Sequence, residues 1–279
     1  MSKLNVVAAI ITQGDRFLLG KRALTKNSSP GYWSPIGGRI EVNESESDAI
    51  VRECAEEIGL KVLPIKKVSD FEVRDGSARL HWWQVQVLEG SPQILNDEHT
   101  ELKWMTIAEM RSLHSIQPED LAAFENFIIA SQKIKTVKKV LIYALRKREQ
   151  LEVLVFDHVK YPEVSPQLPA GTVEPNEDIL EAAKREFLEE SGVQTAQDLK
   201  FIGNYLFFKE LSNQYHDRHI FVVNGDHISD GWIHTVTGTG EDEHLEFKYH
   251  WLPVSIAQEK LQANLGDGFK IFREKIPGL

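Results

Sequence analysis

The chain has 279 residues, 42% hydrophobic and 27% charged, and a net charge of −10; this is an ordinary globular composition, long enough for two separate cores. The acidic excess is shared, with 14 Lys+Arg against 19 Asp+Glu in residues 1–131 and 18 against 23 in the remainder. Such a surface argues against nucleic-acid tracking or anionic-membrane binding, which rely on basic patches, but a bound divalent cation can still draw in a small anion.

Residues 5–12 and 16–19 flank Gly14-Asp15 and predict a β-hairpin. A loop rich in Pro, Gly and Ser leads to Gly38, and the breaker-free stretch after it predicts a helix over residues 46–58, capped near Ser45 and ended by Gly59. Residues 79–88, RLHWWQVQVL, predict a strand. Residues 118–135 predict a helix with Pro in its first turn and Leu121, Phe124, Phe127, Ile128 and Ile134 near helical spacing. The order then repeats. A hairpin is predicted from residues 140–145 and 151–156, then a second Pro-rich loop, a helix starting at Asn176 or Glu177 and ending at Gly192, and a strand at 219–224. The single cysteine, Cys54, precludes an intrachain disulfide, and no segment resembles a signal peptide or membrane span. A cytoplasmic protein is therefore expected.

One 23-residue pattern occurs twice, as GRIEVNESESDAIVRECAEEIGL from Gly38 and as GTVEPNEDILEAAKREFLEESGV from Gly171. The two glycines lie 133 residues apart, a domain-sized period, so two homologous domains are expected, residues 1–133 and 134–279. No Gly/Ser linker separates them, and they are expected to pack together as an intrachain pseudo-dimer, in a monomer or a homodimer.

Glu53, Glu56 and Glu57 fall at i, i+3 and i+4 of the first helix, and Glu186, Glu189 and Glu190 repeat that spacing in the second. Three carboxylates on one stripe repel each other unless something offsets their charge. Hard divalent cations do so, and oxygen-only donors suit Mg²⁺ or Mn²⁺. Arg52 and Arg185 precede each triad and can pair with Glu44 and Glu177, holding the loop on the helix and orienting the carboxylates. A plain solvated acidic face would not repeat a glycine, a glutamate and an arginine in phase.

Both segments match GX5EX7REUXEEXGU, with U apolar, at every defined position, and the chain resembles the Nudix family over nearly its whole length. The resemblance implies two α/β/α sandwich domains, each with a mixed sheet and a loop-helix-loop. It also implies metal-dependent hydrolysis of a nucleoside diphosphate linked to another group. Carried over residue by residue, Glu56, Glu57, Glu189 and Glu190 look like the principal metal ligands. Glu53 and Glu186 look like a further ligand or the base that activates water, and the carbonyls of Gly37 and Ala170 look like the completion of the metal shell. A later acid often assists in this family; Glu98 or Glu101 is expected in domain 1 and Glu243 or Glu246 in domain 2, from a shared acid-His-acid-Trp order ahead of Trp104 and Trp251. Cys54 and Phe187 occupy the apolar box position and are expected in the core.

The surroundings differ. GYWSPIGG precedes the first box and VSPQLPAG the second. The first resembles nucleoside triphosphate or nucleotide-sugar hydrolases and departs from the usual Leu-Pro by reading Pro35-Ile36; the second resembles ADP-sugar pyrophosphatases. Arg22 can reach a substrate phosphate, with Tyr32, Trp33 and Trp82 available to stack on a base; Phe208, Arg218 and His219 are the domain 2 counterparts considered. Substrates are expected among nucleoside triphosphates (damaged ones included), nucleotide sugars and ADP-ribose-like compounds. The alternative is one catalytic domain beside a nucleotide-binding sensor or structural half.

Overall fold

The apolar run that opens the chain does not alternate with polar residues, and its strand is covered on both faces. In the computed structural model, which describes residues 4–73, 76–194, 199–237 and 242–279, β1 (Leu4–Gln13) turns Val7, Ala9 and Ile11 into one core and Ala8 and Ile10 into another. The chain divides into two units, Met1–Lys135 and Thr136–Leu279. Each is a mixed α/β domain, described by itself below.

In domain 1, β1 and β2 (Arg16–Arg22) form the predicted hairpin. β1 also runs parallel to β5 (Ala78–Glu89), which continues antiparallel into β4 (Lys61–Glu72). β2 pairs with β3 (Trp33–Ser34) and with β6 (His99–Met105). Helix α1 (Glu46–Ile58) spans the predicted residues; the Ser45 side chain accepts from Asp48 N–H and Gly59 ends it at φ 68°. Ala49, Ile50, Cys54 and Ile58 bury against Val7, Ala9 and Ile11.

On the opposite face lies α3 (Pro118–Ser131), where Phe124 meets Phe17 and Trp82 at centroid distances of 5.0 and 5.3 Å. This helix ends at Ser131 rather than at the predicted residue 135. Ile134 lies in a turn, its N–H on the Ser131 carbonyl, so the chain can enter a new strand at Lys135. The preceding α2 (Ile107–Arg111), held by reciprocal capping between Thr106 and Glu109, is too short to show a helical period in the sequence.

Domain 2 starts with β7 (Lys135–Lys147), β8 (Leu151–His158) and β9 (Ala170–Thr172). After α4 (Ile179–Ser191) come β10 (Lys200–Lys209), β11 (Gln214–Asn224), β12 (Trp232–Thr235) and β13 (Glu246–Pro253). The strand order is β10-β11-β7-β8-β13-β12, with β9 on β7. α4 starts later than predicted, because Asp178 is the cap and its carboxylate accepts from Leu180 and Glu181 N–H. Ala182, Ala183 and Phe187 of this helix pack on Val140, Ile142 and Ala144. After β13 comes α5 (Val254–Lys260), and across the sheet α6 (Asp267–Ile271) stacks Phe269 on Tyr143 at 4.2 Å. Among the described residues no helix is long and apolar enough to cross a membrane.

Candidate active sites

Asn43 and Asn176 both sit at φ 65°, a left-handed conformation that asparagine tolerates better than most residues. The turn it permits returns Glu44 and Glu177 to the helix that follows. Arg52 Nε and Nη2 donate to the two Glu44 oxygens at 2.8 and 2.9 Å; Arg185 does the same to Glu177 at 2.7 and 2.9 Å. Nη2 of each also donates to the carbonyl of Arg39 or Thr172. Nη1 reaches Glu53 at 2.8 Å or Glu186 at 2.9 Å, and Glu56 or Glu189 at 3.2 Å. One arginine thus ties the loop, the box strand and two helix carboxylates together, by the same bonds in both domains. The Arg52 guanidinium, and then the Glu41 N–H, pull the Glu44 carboxyl down to about 2.

Glu53 and Glu186 are pushed above the ordinary carboxylate range by burial, against the opposing pull of their arginines. A Cβ on Gly38 would overlap the Glu53 carboxylate, and one on Gly171 that of Glu186. The first box residue is therefore glycine so that backbone and carboxylate can touch.

The third carboxylates have different partners. Glu57, 3% exposed, has His99 Nε2 at 3.1 Å from its Oε2. Glu190, 7% exposed, accepts from Ala170 N–H at 2.9 Å and is raised well above the usual range by burial. In an extended strand the N–H and C=O of one residue point the same way, so the Ala170 carbonyl is aimed toward the side of Glu190.

Strand register shows what replaces His99. Trp104 lies opposite Leu18 and His99 opposite Arg22, while Trp251 lies opposite Leu154 and Phe247 opposite His158. His99 therefore corresponds to Phe247, and the acid-His-acid-Trp equivalence read from sequence is corrected: His244 is exposed, at φ 68°. A Cβ on Gly20 would overlap the His99 ring; in domain 2 Phe156 takes that place and stacks on Phe247 at 4.0 Å.

Among the described residues no three acidic or imidazole groups converge as a finished metal cage. The donor chemistry fits a hard divalent cation nonetheless. Each domain presents three carboxylates on one stripe, with Glu53, Glu186 and Glu190 destabilised in their charged forms by burial, which is the condition a bound cation relieves.

In domain 1 a cavity of about 480 Å³ meets the box at Gly37. Its walls include Arg22, Tyr32, Trp33, Phe71, Leu80 and Asp120. Asp120, 7% exposed in the first turn of α3, is raised to about 7 by burial, and Ser34 Oγ in the same wall is buried with no hydrogen-bond partner among the described residues. Neither was singled out in the sequence; an acid beside a helix-initiating Pro is commonly an exposed first-turn charge. Arg22 is held by the Ser28 carbonyl at 2.9 Å and by Glu98 at 3.6 Å. Trp82 does not line the cavity: fully buried between Phe71 and Phe124, it is a core residue with no face open to a base, which corrects its expected stacking role.

In domain 2 a cavity of about 720 Å³ is lined by Glu186, Glu189, Glu190, Asp242 and Glu243 together with Lys139, Lys209 and His216. Glu246 opens β13 instead, so the cavity holds Glu243 of the two candidate acids, beside Asp242, which sequence reading did not name. Phe208 is not in this wall. It alternates with Lys209 along β10 and contacts Tyr215 at 5.2 Å, which corrects the role expected of it. Arg218 is 3% exposed and bonded to the Ala263 and Asn264 carbonyls, and His219 to Asp217. In domain 1, Glu98 is bound by Lys26 at 2.8 Å, and Glu101 lies opposite Lys21 on an exposed strand position. Cys54 is wholly buried and its thiol is raised by that burial, as a core residue.

The fold and the doubled carboxylate helix define the class. The NUDIX domain model matches residues 1–127 and 135–270, and the chain belongs to the Nudix family as a tandem protein, an enzyme of the class that acts on phosphoric anhydrides. It is similar to the CTP pyrophosphohydrolase of Escherichia coli K12, 33% identical over 131 residues that make up 46% of this chain and 93% of that protein. Among solved structures, a MutT protein from Methanosarcina mazei is 22% identical with a TM-score of 0.43, over 48% of this chain and 99% of that one. The ORF135 protein of E. coli is 28% identical with a TM-score of 0.39, over 47% and 92%.

Proposed function

We propose that both domains hydrolyse diphosphate linkages with Mg²⁺ or Mn²⁺, and that domain 1 acts on nucleoside triphosphates. What carries this proposal is the network around Arg52 and Arg185, in which two loops of different sequence arrive at the same five hydrogen bonds and present the same three carboxylates.

Glu56 and Glu57, with Glu189 and Glu190, would hold the cation, joined by the Gly37 and Ala170 carbonyls. The cation supplies neutralisation of the diphosphate and acidifies water. Glu53 and Glu186, raised by burial, are suited to accept a proton from the attacking water, since a base works best with a pKa nearer the operating pH. Arg52 and Arg185 fix the rotamers of these carboxylates and do not themselves touch substrate. In domain 1, Tyr32 and Trp33 offer a base its flanking surfaces, and Asp120 and Ser34 offer hydrogen bonds to its edge. The similarity to a CTP pyrophosphohydrolase supports a nucleoside triphosphate substrate.

The test is phosphorus NMR of the intact protein with CTP and Mg²⁺. Nucleoside monophosphate and pyrophosphate are expected, and chelation should stop their release. Failure to cleave any nucleoside triphosphate, ADP-ribose or nucleotide sugar with either metal would reject the proposal.

A further inference from the structure

We infer that His234, with Trp232 beside it on β12, is a positioning residue of domain 2: it fixes the last turn of α4, the turn that carries Glu189 and Glu190. This rests on those carboxylates being the place where the cation binds.

The final carbonyls of a helix have no partner within it, and a last turn without outside support frays. Glu189 and Glu190 stand in that turn, because α4 ends at Ser191. Arg185 and the Ala170 N–H hold their side chains, but neither holds the backbone that bears them. β12 and the residues just after it do. The Glu189 carbonyl accepts from Thr237 N–H at 3.0 Å and from Thr237 Oγ1 at 3.3 Å, and His234 Nε2 lies 3.0 Å from it. A carbonyl can only accept, so Nε2 carries the imidazole proton. Trp232 Nε1 donates to the Ser191 carbonyl at 2.9 Å.

The sequence of β12 explains why both side chains serve. Along Trp232–Thr235 the partly buried Trp232 and His234 alternate with the exposed Ile233 and Thr235, so the two donors point to one side of the strand. Register sets Trp232 opposite Tyr249 and His234 opposite Phe247, two buried members of the domain 2 core, and the Trp232 ring stacks on Tyr249 at 4.7 Å. The imidazole is seated against the helix end itself. Gly192 stops α4 at φ 71°, and a Cβ there would lie 2.8 Å from His234 Nδ1. Domain 1 reaches the same result with main-chain donors: Leu95 N–H bonds the Glu57 carbonyl and Gln93 N–H the Ile58 carbonyl, each at 3.0 Å. Two segments of different sequence thus support the same turn of the box helix. Domain 2 adds side-chain donors to the task, and a substitution can remove them.

The test uses the full chain with domain 1 silenced by Glu56→Gln/Glu57→Gln. Mn²⁺ affinity is measured by electron paramagnetic resonance without substrate, and hydrogen exchange of residues 186–192 by mass spectrometry without metal. His234→Phe keeps a ring against Gly192 but no donor. It should weaken Mn²⁺ binding about tenfold or more, the usual cost of losing a group that supports a ligand, and speed exchange by a similar factor. His234→Gln supplies a side-chain N–H and should stay within about threefold of the parent on both readouts. If His234→Phe fails to fold, His234→Asn, polar but too short for the carbonyl, takes its place and should show the same loss. Parent-like Mn²⁺ affinity in the variant without a donor, or an equal loss in His234→Gln, overturns the inference. Parent-like affinity in Glu189→Gln/Glu190→Gln is a separate failure, which removes the cation from α4 and the inference with it.

Discussion

His99 Nε2 lies 3.1 Å from Glu57 Oε2 in the interior of domain 1, and the strand register puts Phe247 in the same place in domain 2. Burying a carboxylate is costly without a partner, so the two domains support the last box glutamate by different means, an imidazole in one and the Ala170 N–H in the other. His99→Phe installs the domain 2 solution without its compensating donor. It should lower kcat/KM of domain 1 by about tenfold to a hundredfold, the usual cost of losing an outer-shell partner, and raise the Mg²⁺ needed for half-maximal rate. Metal titrations with domain 2 silenced would show it; an unchanged half-saturation would assign His99 to packing alone.

The contact between each box glycine and its carboxylate is equally specific. Gly38→Ala and Gly171→Ala place a methyl group on Glu53 and Glu186. Each should cost its own domain about a hundredfold in kcat, because a displacement of about 1 Å at a reacting group has that scale. Circular dichroism should show the helices retained. Normal activity in both variants would mean that neither carboxylate needs the observed position.

Asp120 makes a prediction about pH. Its pKa is raised from 3.8 to about 7, so the folded domain keeps a proton that the unfolded chain releases at lower pH. Stability from this group is full below about pH 4 and declines as pH rises to about 7, by on the order of 4 kcal/mol. Asp120→Asn should flatten that decline and stabilise domain 1 at pH 8. Urea denaturation followed by tryptophan fluorescence at pH 5 and pH 8 measures the difference, and an identical pH dependence in the two proteins would contradict it.

Arg185→Lys keeps the charge and removes the fork. A lysine cannot hold both Glu177 oxygens and also reach Glu186, Glu189 and the Thr172 carbonyl. Domain 2 turnover should fall by about tenfold or more; Arg185 lines the cavity, and the proposed role of orienting carboxylates predicts that KM changes less than kcat. A loss confined to KM would instead place Arg185 on the substrate.

Much of this was legible in the sequence because the box couples local and chemical constraints. Helix α1 could be read to its ends from Ser45 and Gly59, and the arginine-glutamate pairings followed from their spacing. What escaped had nonlocal causes. Trp82 reads like a stacking platform from its composition, but its burial depends on α3, which arrives from far along the chain. His99 and His244 look equivalent in their motifs, yet the pairing of β6 with β2 and of β13 with β8 separates them. Asp120 looks like an ordinary first-turn acid, and only the cavity wall makes it unusual. The paired asparagines at φ 65° left a local signal, the recurring Asn-Glu of both boxes, whose reason is the return of Glu44 and Glu177 to their arginines.

The duplication of working chemistry is tested most directly by kcat/KM across nucleotides, nucleotide sugars and sugar phosphates. The proteins to compare are the intact chain, Glu56→Gln/Glu57→Gln, Glu189→Gln/Glu190→Gln and the combined variant. Each pair should abolish a different part of the substrate profile, and the combined variant should lose about a thousandfold or more on every substrate. A combined variant that keeps full activity would contradict the assignment of the box carboxylates, and one pair accounting for every substrate would contradict two active domains.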